Sequence, residues 1–186
     1  MYFRRMETSI TLPTRRPRYL IAEVAHASGV PIGILKSWLL KERRILALTR
    51  EERPAACKGL AISFSWNRLC QVAAMEALQR AGCWLPSIAA KAALIFSDIG
   101  DDDIPGAFGP DIPTRRPAEC FAEHRTILAV RFGSDDSAEP ITEVHQVRDD
   151  EPFGDVWQRL TNGVDGITLL DCAAVVERVK SRLAIE

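Results

Sequence analysis

Tyr19-Leu-Ile-Ala-Glu-Val-Ala-His-Ala-Ser-Gly-Val-Pro-Ile-Gly-Ile-Leu-Lys-Ser-Trp38 decides how this chain reads. Ile21, Val24 and Ala25 fall at i, i+3 and i+4, the spacing of one helical face, so residues 20–27 predict a short helix. Gly29 then supplies the left-handed backbone of a sharp turn, which other residues adopt only at a cost. Pro31 suits the first turn of a second helix, where its missing N–H would have no partner in any case. In that second helix Ile34, Leu35 and Trp38 form the expected buried face. Gly33, Lys36 and Ser37 are left on the outer face.

Working outward, residues 41–63 carry Lys41, Arg43, Arg44, Arg50, Arg53 and Lys58 among Ile45, Leu46, Leu48, Leu60 and Ile62. This mixture predicts a basic β-hairpin, a wing, with Pro54 and Gly59 near its tip. Ser65 is a good N-cap. The helix it opens is expected to run to about Arg80, to bury Leu69, Val72, Ala73 and Leu78, and to end at Gly82. Pro86 or Ser87 starts a fourth helix, through Phe96. The order helix, tight turn, helix, basic wing, helix, helix predicts a winged helix-turn-helix over 19–97. Residues 1–18 read as a basic arm, with Arg15, Arg16 and Arg18 near its end.

Residues 98–119 read as an acidic, Pro/Gly-rich linker, opened by Asp98, Asp101, Asp102 and Asp103. Its end, Pro113-Thr-Arg-Arg-Pro117, repeats Pro13-Thr-Arg-Arg-Pro17 and predicts a stiff, solvated segment. Residues 120–186 predict a small α+β domain of about three strands (126–132, 140–147 and 166–170) and two helices. One helix spans 153–160. The other is capped by Asp171 and carries Val175, Val176, Val179 and Leu183 at helical spacing. The fold class expected for the whole chain is therefore α+β. Trp38, Trp66 and Trp84 are expected in the core of the N-terminal domain. Trp157 is expected to pack its helix onto the C-terminal sheet.

The net charge of −1 conceals a strong asymmetry. Residues 1–60 hold 12 Lys/Arg and 5 Asp/Glu, whereas residues 61–186 hold 12 and 20. A balance of +7 on the helix-turn-helix and wing predicts a nucleic-acid-facing end. No signal-peptide h-region and no membrane-length apolar run is visible, which predicts a cytoplasmic protein without a membrane partner. The five cysteines (Cys57, Cys70, Cys83, Cys120, Cys172) lack any C-x-x-C spacing and read as reduced thiols.

Residues 19–96 resemble the DNA-binding domain of the mercury-resistance regulator (MerR) family. The resemblance lies in Tyr19-Leu-Ile-Ala-Glu-Val-Ala, the Gly29-Val30 turn, the Leu35-Lys36 step, the Phe64-Ser65 pair and the helix end Leu78-Gln-Arg-Ala-Gly82. It implies a winged helix-turn-helix that reads duplex DNA. The chain departs from the family's pattern where Ser37 and Trp38 replace two aromatics, where Gly33 replaces an arginine, in its longer wing, and in having the Pro/Gly linker where a long dimerisation helix would stand. The resemblance therefore extends to DNA binding and not to the family's effector-controlled mechanism.

The DNA-binding residues expected are Gly33, Lys36 and Ser37 on the second helix and Arg43 and Arg44 after it. Arg50, Arg53 and Lys58 on the wing and Arg16 and Arg18 on the arm complete the set. Lys36 is expected at a base edge or phosphate of the major groove, and the others chiefly at phosphates. No catalytic set, cofactor or metal site is expected. Cys120, His124 and His145 are too few and too scattered for a metal centre. Three histidines without a nucleophile elbow assemble no hydrolase. The expected function is a sequence-specific transcriptional regulator of bacterial or phage type, dimeric through its C-terminal domain. RNA polymerase or a phage enzyme is a possible protein partner. The alternative is the DNA-recognition subunit of a phage packaging (small terminase-like) or recombination complex.

Overall fold

A computed structural model describes residues 18–40, 42–43, 45–49, 52, 62–83, 85–100, 115–133, 139–161 and 164–185. Its elements are β1 (Tyr19–Leu20), α1 (Ile21–Ser28), α2 (Ile32–Trp38), β2 (Ser63–Phe64), α3 (Trp66–Arg80) and α4 (Pro86–Ser97), followed by β3 (Arg125–Phe132), β4 (Ile141–Val147), α5 (Phe153–Thr161), β5 (Gly166–Asp171) and α6 (Cys172–Leu183). The fold is mixed, with helices and two small antiparallel sheets.

Local chemistry sets the ends of these helices. The Ser65 hydroxyl accepts the Arg68 N–H at 3.2 Å and opens α3. At the other end Gly82 takes φ +106°, its N–H bonds to Gln79 O, and Cys83 N–H bonds to Leu78 O. This pair of bonds closes α3 on its last carbonyls. Pro86 stands in the first turn of α4. The Asp171 carboxylate accepts the N–H groups of Ala173 and Ala174 and opens α6.

Gly29 closes α1 with φ +84° and donates to Ala25 O at 2.9 Å. A Cβ added there would lie 2.8 Å from Arg182 Nη1, a flexible end able to give way. The backbone cost therefore dominates. Gly29→Ala is expected to lower stability by about 1–2 kcal/mol in urea unfolding, the penalty of a left-handed L-residue.

Most of the expected wing over 41–63, including residues 53–61, lies outside the described residues. At its end the described strand Ser63–Phe64 pairs with Tyr19–Leu20, Tyr19 opposite Phe64. The buried Phe64 and the half-buried Tyr19 tie the start of α1 to the start of α3. Pro54 and Gly59 lie outside the described residues.

The three-stranded sheet has the order β4-β3-β5, with antiparallel neighbours. Leu128 stands opposite Val144 and Leu170. Leu128, Val130 and Leu170 belong to the main core, whereas Ala129, on the opposite face, is buried apart from it. That alternation puts one face of β3 on the helices.

Among the described residues the apolar core is continuous. One apolar cluster runs from Val24 and Leu35 through Leu69, Val72 and Phe96 to Leu128, Val175 and Val179. The helix α6 packs on both α1 and α3. Its Arg182 donates to Ala27 O at 3.2 Å, and its Arg178 lies 3.8 Å from Glu76 of α3.

The solvated linker is corrected at its described end. Arg115 is 5% exposed and donates to Phe96 O at 2.9 Å, Ile95 O at 3.0 Å and Ile99 O at 2.7 Å. Its guanidinium also lies over the Phe96 ring. The last carbonyls of a helix have no partners of their own, and five rigid donors suit them. Arg115 is thus a cap on α4, and the buried Ala118 follows it with an N–H bond to Phe96 O.

Candidate nucleic-acid interface

The geometry of α1, Gly29 and α2 follows from which side chains find cover. In α1 it is Val24, Ala27 and Ser28 that are buried, while Ile21 and Ala25 are half-buried. The Ser28 hydroxyl donates to Val24 O at 2.6 Å and accepts the Val30 N–H at 3.2 Å, so the buried polar group is paired across the turn. In α2, Leu35 and Trp38 are buried, and the Trp38 carbonyl accepts the Leu46 N–H at 3.1 Å.

Ile34 was expected beside Leu35 and Trp38 but is 47% exposed. At 100° per residue it sits roughly a right angle away from Leu35, past the edge of the covered arc. The exposed arc of α2 is thus centred on Gly33, with Ile32 and Lys36 on one flank and Ile34 and Ser37 on the other. A Cβ on Gly33 would meet nothing within 4 Å.

Of the expected DNA-binding residues, Lys36 is exposed on this arc, and Ser37 is half-buried beside it. The Ser37 hydroxyl donates to Ile34 O at 2.7 Å, so its proton is engaged and its oxygen is left as an acceptor. Arg43 is exposed in the turn after α2. Arg18 is exposed just before β1, its backbone N–H held by Phe64 O at 2.9 Å. Arg16, Arg44, Arg50, Arg53 and Lys58 lie outside the described residues, as does Trp84.

Several features of this region were not legible in the sequence. Leu20 and Leu40 are each 50% exposed and, with Ile21, Leu39, Ile62 and Lys36, line an apolar groove of about 610 Å³ beside α2. At the start of α3 lies a buried polar knot. The Glu52 carboxylate, 1% exposed, accepts the Ser65 hydroxyl at 2.6 Å, the Ser65 N–H at 3.1 Å and the Thr49 N–H at 2.9 Å. Arg68 Nε stands 3.4 Å from it, and Arg68 also reaches Gln71 and, at 3.5 Å, Asp98. Burial pushes the Glu52 carboxyl up, but the bonds from Ser65 and Thr49, together with Arg68, outweigh it and hold the group below its ordinary value. A glutamate in a basic segment reads as solvated; only its convergence with Arg68 across the fold reveals the pairing.

In the C-terminal half Trp157 does not pack onto the sheet. It is 46% exposed and stacks on Phe153, itself 76% exposed, with ring centroids 5.9 Å apart. In α5 the buried residue is Leu160. On β4, Glu143 pairs with Arg131 and lies 3.3 Å from His145. Burial pushes the His145 imidazole down, and Arg159 and Arg131 reinforce this against the opposing pull of Glu143, so it is neutral at pH 7. Among the described residues no group of three His, Cys, Asp or Glu is placed to hold a metal, and no helix is long and apolar enough to cross a membrane. No protein-family model matches this chain, and no curated protein matches its sequence.

Proposed function

We propose that this protein binds duplex DNA sequence-specifically as a transcriptional regulator, with α2 entering the major groove. One observation carries the reading. Two short helices meet at a left-handed glycine, and the second is anchored by Leu35 and Trp38 while Gly33, Lys36 and Ser37 line its outward side. Such a helix projects its first turns at base edges while the first helix crosses the backbone. The exposed Arg18 and Arg43, and the +7 balance of residues 1–60, support phosphate contact on the same side of the sequence. A single half-site rarely suffices for affinity, so the reading includes a homodimer.

The purified full chain is expected to bind DNA with log affinity falling against log salt by roughly 0.9 per phosphate contact. Lys36→Ala is expected to weaken the preferred sequence by about 1–3 kcal/mol and random DNA much less. Fluorescence anisotropy over a salt series measures both. A flat salt response, or no binding to any duplex, removes the proposal.

A second reading is favoured by the stacked Phe153–Trp157 pair. An exposed aromatic pair is the kind of anchor that protein interfaces use. The protein would then be the DNA-recognition subunit of a larger assembly, such as a phage packaging or recombination complex, with α5 meeting the partner.

A further inference from the structure

We infer that α2 reads thymine through its C5-methyl group, using Ile32 and Ile34 as the contacting side chains; the inference rests on the DNA-binding reading. Ile32 is 41% exposed and Ile34 47% exposed, on either side of Gly33. An isoleucine side chain has no donor or acceptor, so a phosphate or a polar base edge gives it nothing. Among the groups that base pairs present in the major groove, the thymine methyl is the apolar one. Both isoleucines lie in the first turn of α2, the part of a recognition helix that meets base edges.

Gly33 makes this contact reachable. With no side chain at the centre of the arc, the backbone can sit close to the floor of the groove, and the flanking isoleucines then extend to bases on either side. Lys36 stands four residues after Ile32 on the same flank, and its ammonium suits guanine O6 and N7. The exposed Arg18 and Arg43 supply the charge that draws this otherwise apolar face to a polyanion. The site expected is therefore short, with thymine at one or two positions beside a guanine.

The test begins with selection of bound duplexes from a random pool by the full-length protein. Each thymine of the selected site is then replaced singly by deoxyuridine, which removes the methyl and leaves every hydrogen-bonding group. The expected result is a loss of about fourfold in affinity at one or two positions, the value of one buried methyl-sized group. Ile32→Ala or Ile34→Ala should abolish the sensitivity at its own position, whereas Lys36→Ala should leave it. Both isoleucines are exposed, and far-UV circular dichroism confirms that the variants keep the fold.

Selection of a sequence that binds equally with and without its thymine methyls overturns this inference and leaves the DNA-binding reading standing. So does selection of a sequence whose affinity neither isoleucine variant changes; the apolar arc would then belong to a protein partner. Failure to enrich any sequence overturns both.

Discussion

Val179→Asp unfolds the whole described chain and not only the half that contains it. Val179 is fully buried on α6, with Val175 and Val176 beside it in the same apolar cluster. That helix packs on α1 and α3 as well as on β3. A carboxylate placed in that apolar cluster is stripped of water, and a buried charge costs several kcal/mol, a large part of an ordinary domain's 5–15 kcal/mol. Because the core is continuous, the loss is shared. The buried Trp38 and Trp66, both in the N-terminal half, report it by fluorescence, and far-UV circular dichroism reports the helices. The two signals should be lost together. Native tryptophan emission alongside an unfolded C-terminal half would mean that the N-terminal helices stand alone.

The second large effect is expected at Glu52. Glu52→Ala removes the acceptor for the Ser65 hydroxyl and N–H and for the Thr49 N–H, and leaves the buried Arg68 with, among the described residues, the half-buried Asp98 at 3.5 Å as its charged partner. Breaking a buried pair from one side costs about 3–5 kcal/mol. The double variant Glu52→Gln with Arg68→Met should recover much of it, since the Gln carbonyl keeps an acceptor for Ser65 and Thr49 and no buried charge is left unpaired. The pH dependence has a definite sign. The folded carboxyl is held below its ordinary 4.5, so its contribution is complete above that value and is lost as pH falls through the lowered one. Urea midpoints of the wild type should drop in that acid range, and Glu52→Gln should flatten that part of the curve.

Helix ends and turns were legible in the sequence because their chemistry is local. Ser65, Gly29, Gly82, Pro86 and Asp171 each act on groups a few residues away, and each stands where its residue type predicts. The three strands were legible for the same reason. What failed depended on a partner distant in sequence. Periodicity told that Ile34 and Trp157 were apolar, but not whether anything would cover them. Arg115 read as solvated because the carbonyls of Ile95, Phe96 and Ile99 become available to it only when α4 ends beside it. The solvated reading of Arg115 fell with those contacts, while residues 101–114 lie outside the described residues. In the candidate interface Lys36 was legible, whereas the apolar flanks of the same arc emerged only from exposure.

The bond from Arg182 to the end of α1 joins residues 155 positions apart. During synthesis at about 5–20 residues per second, the first helix must wait on the order of ten to thirty seconds before that guanidinium leaves the ribosome. Val24 and Ala27 emerge early and lack their final shelter for all of that time. Nascent chains of this protein should therefore be captured by holding chaperones well after α2 has emerged. Its refolding from denaturant, dominated by such distant closures, should be slow for a chain with this much helix.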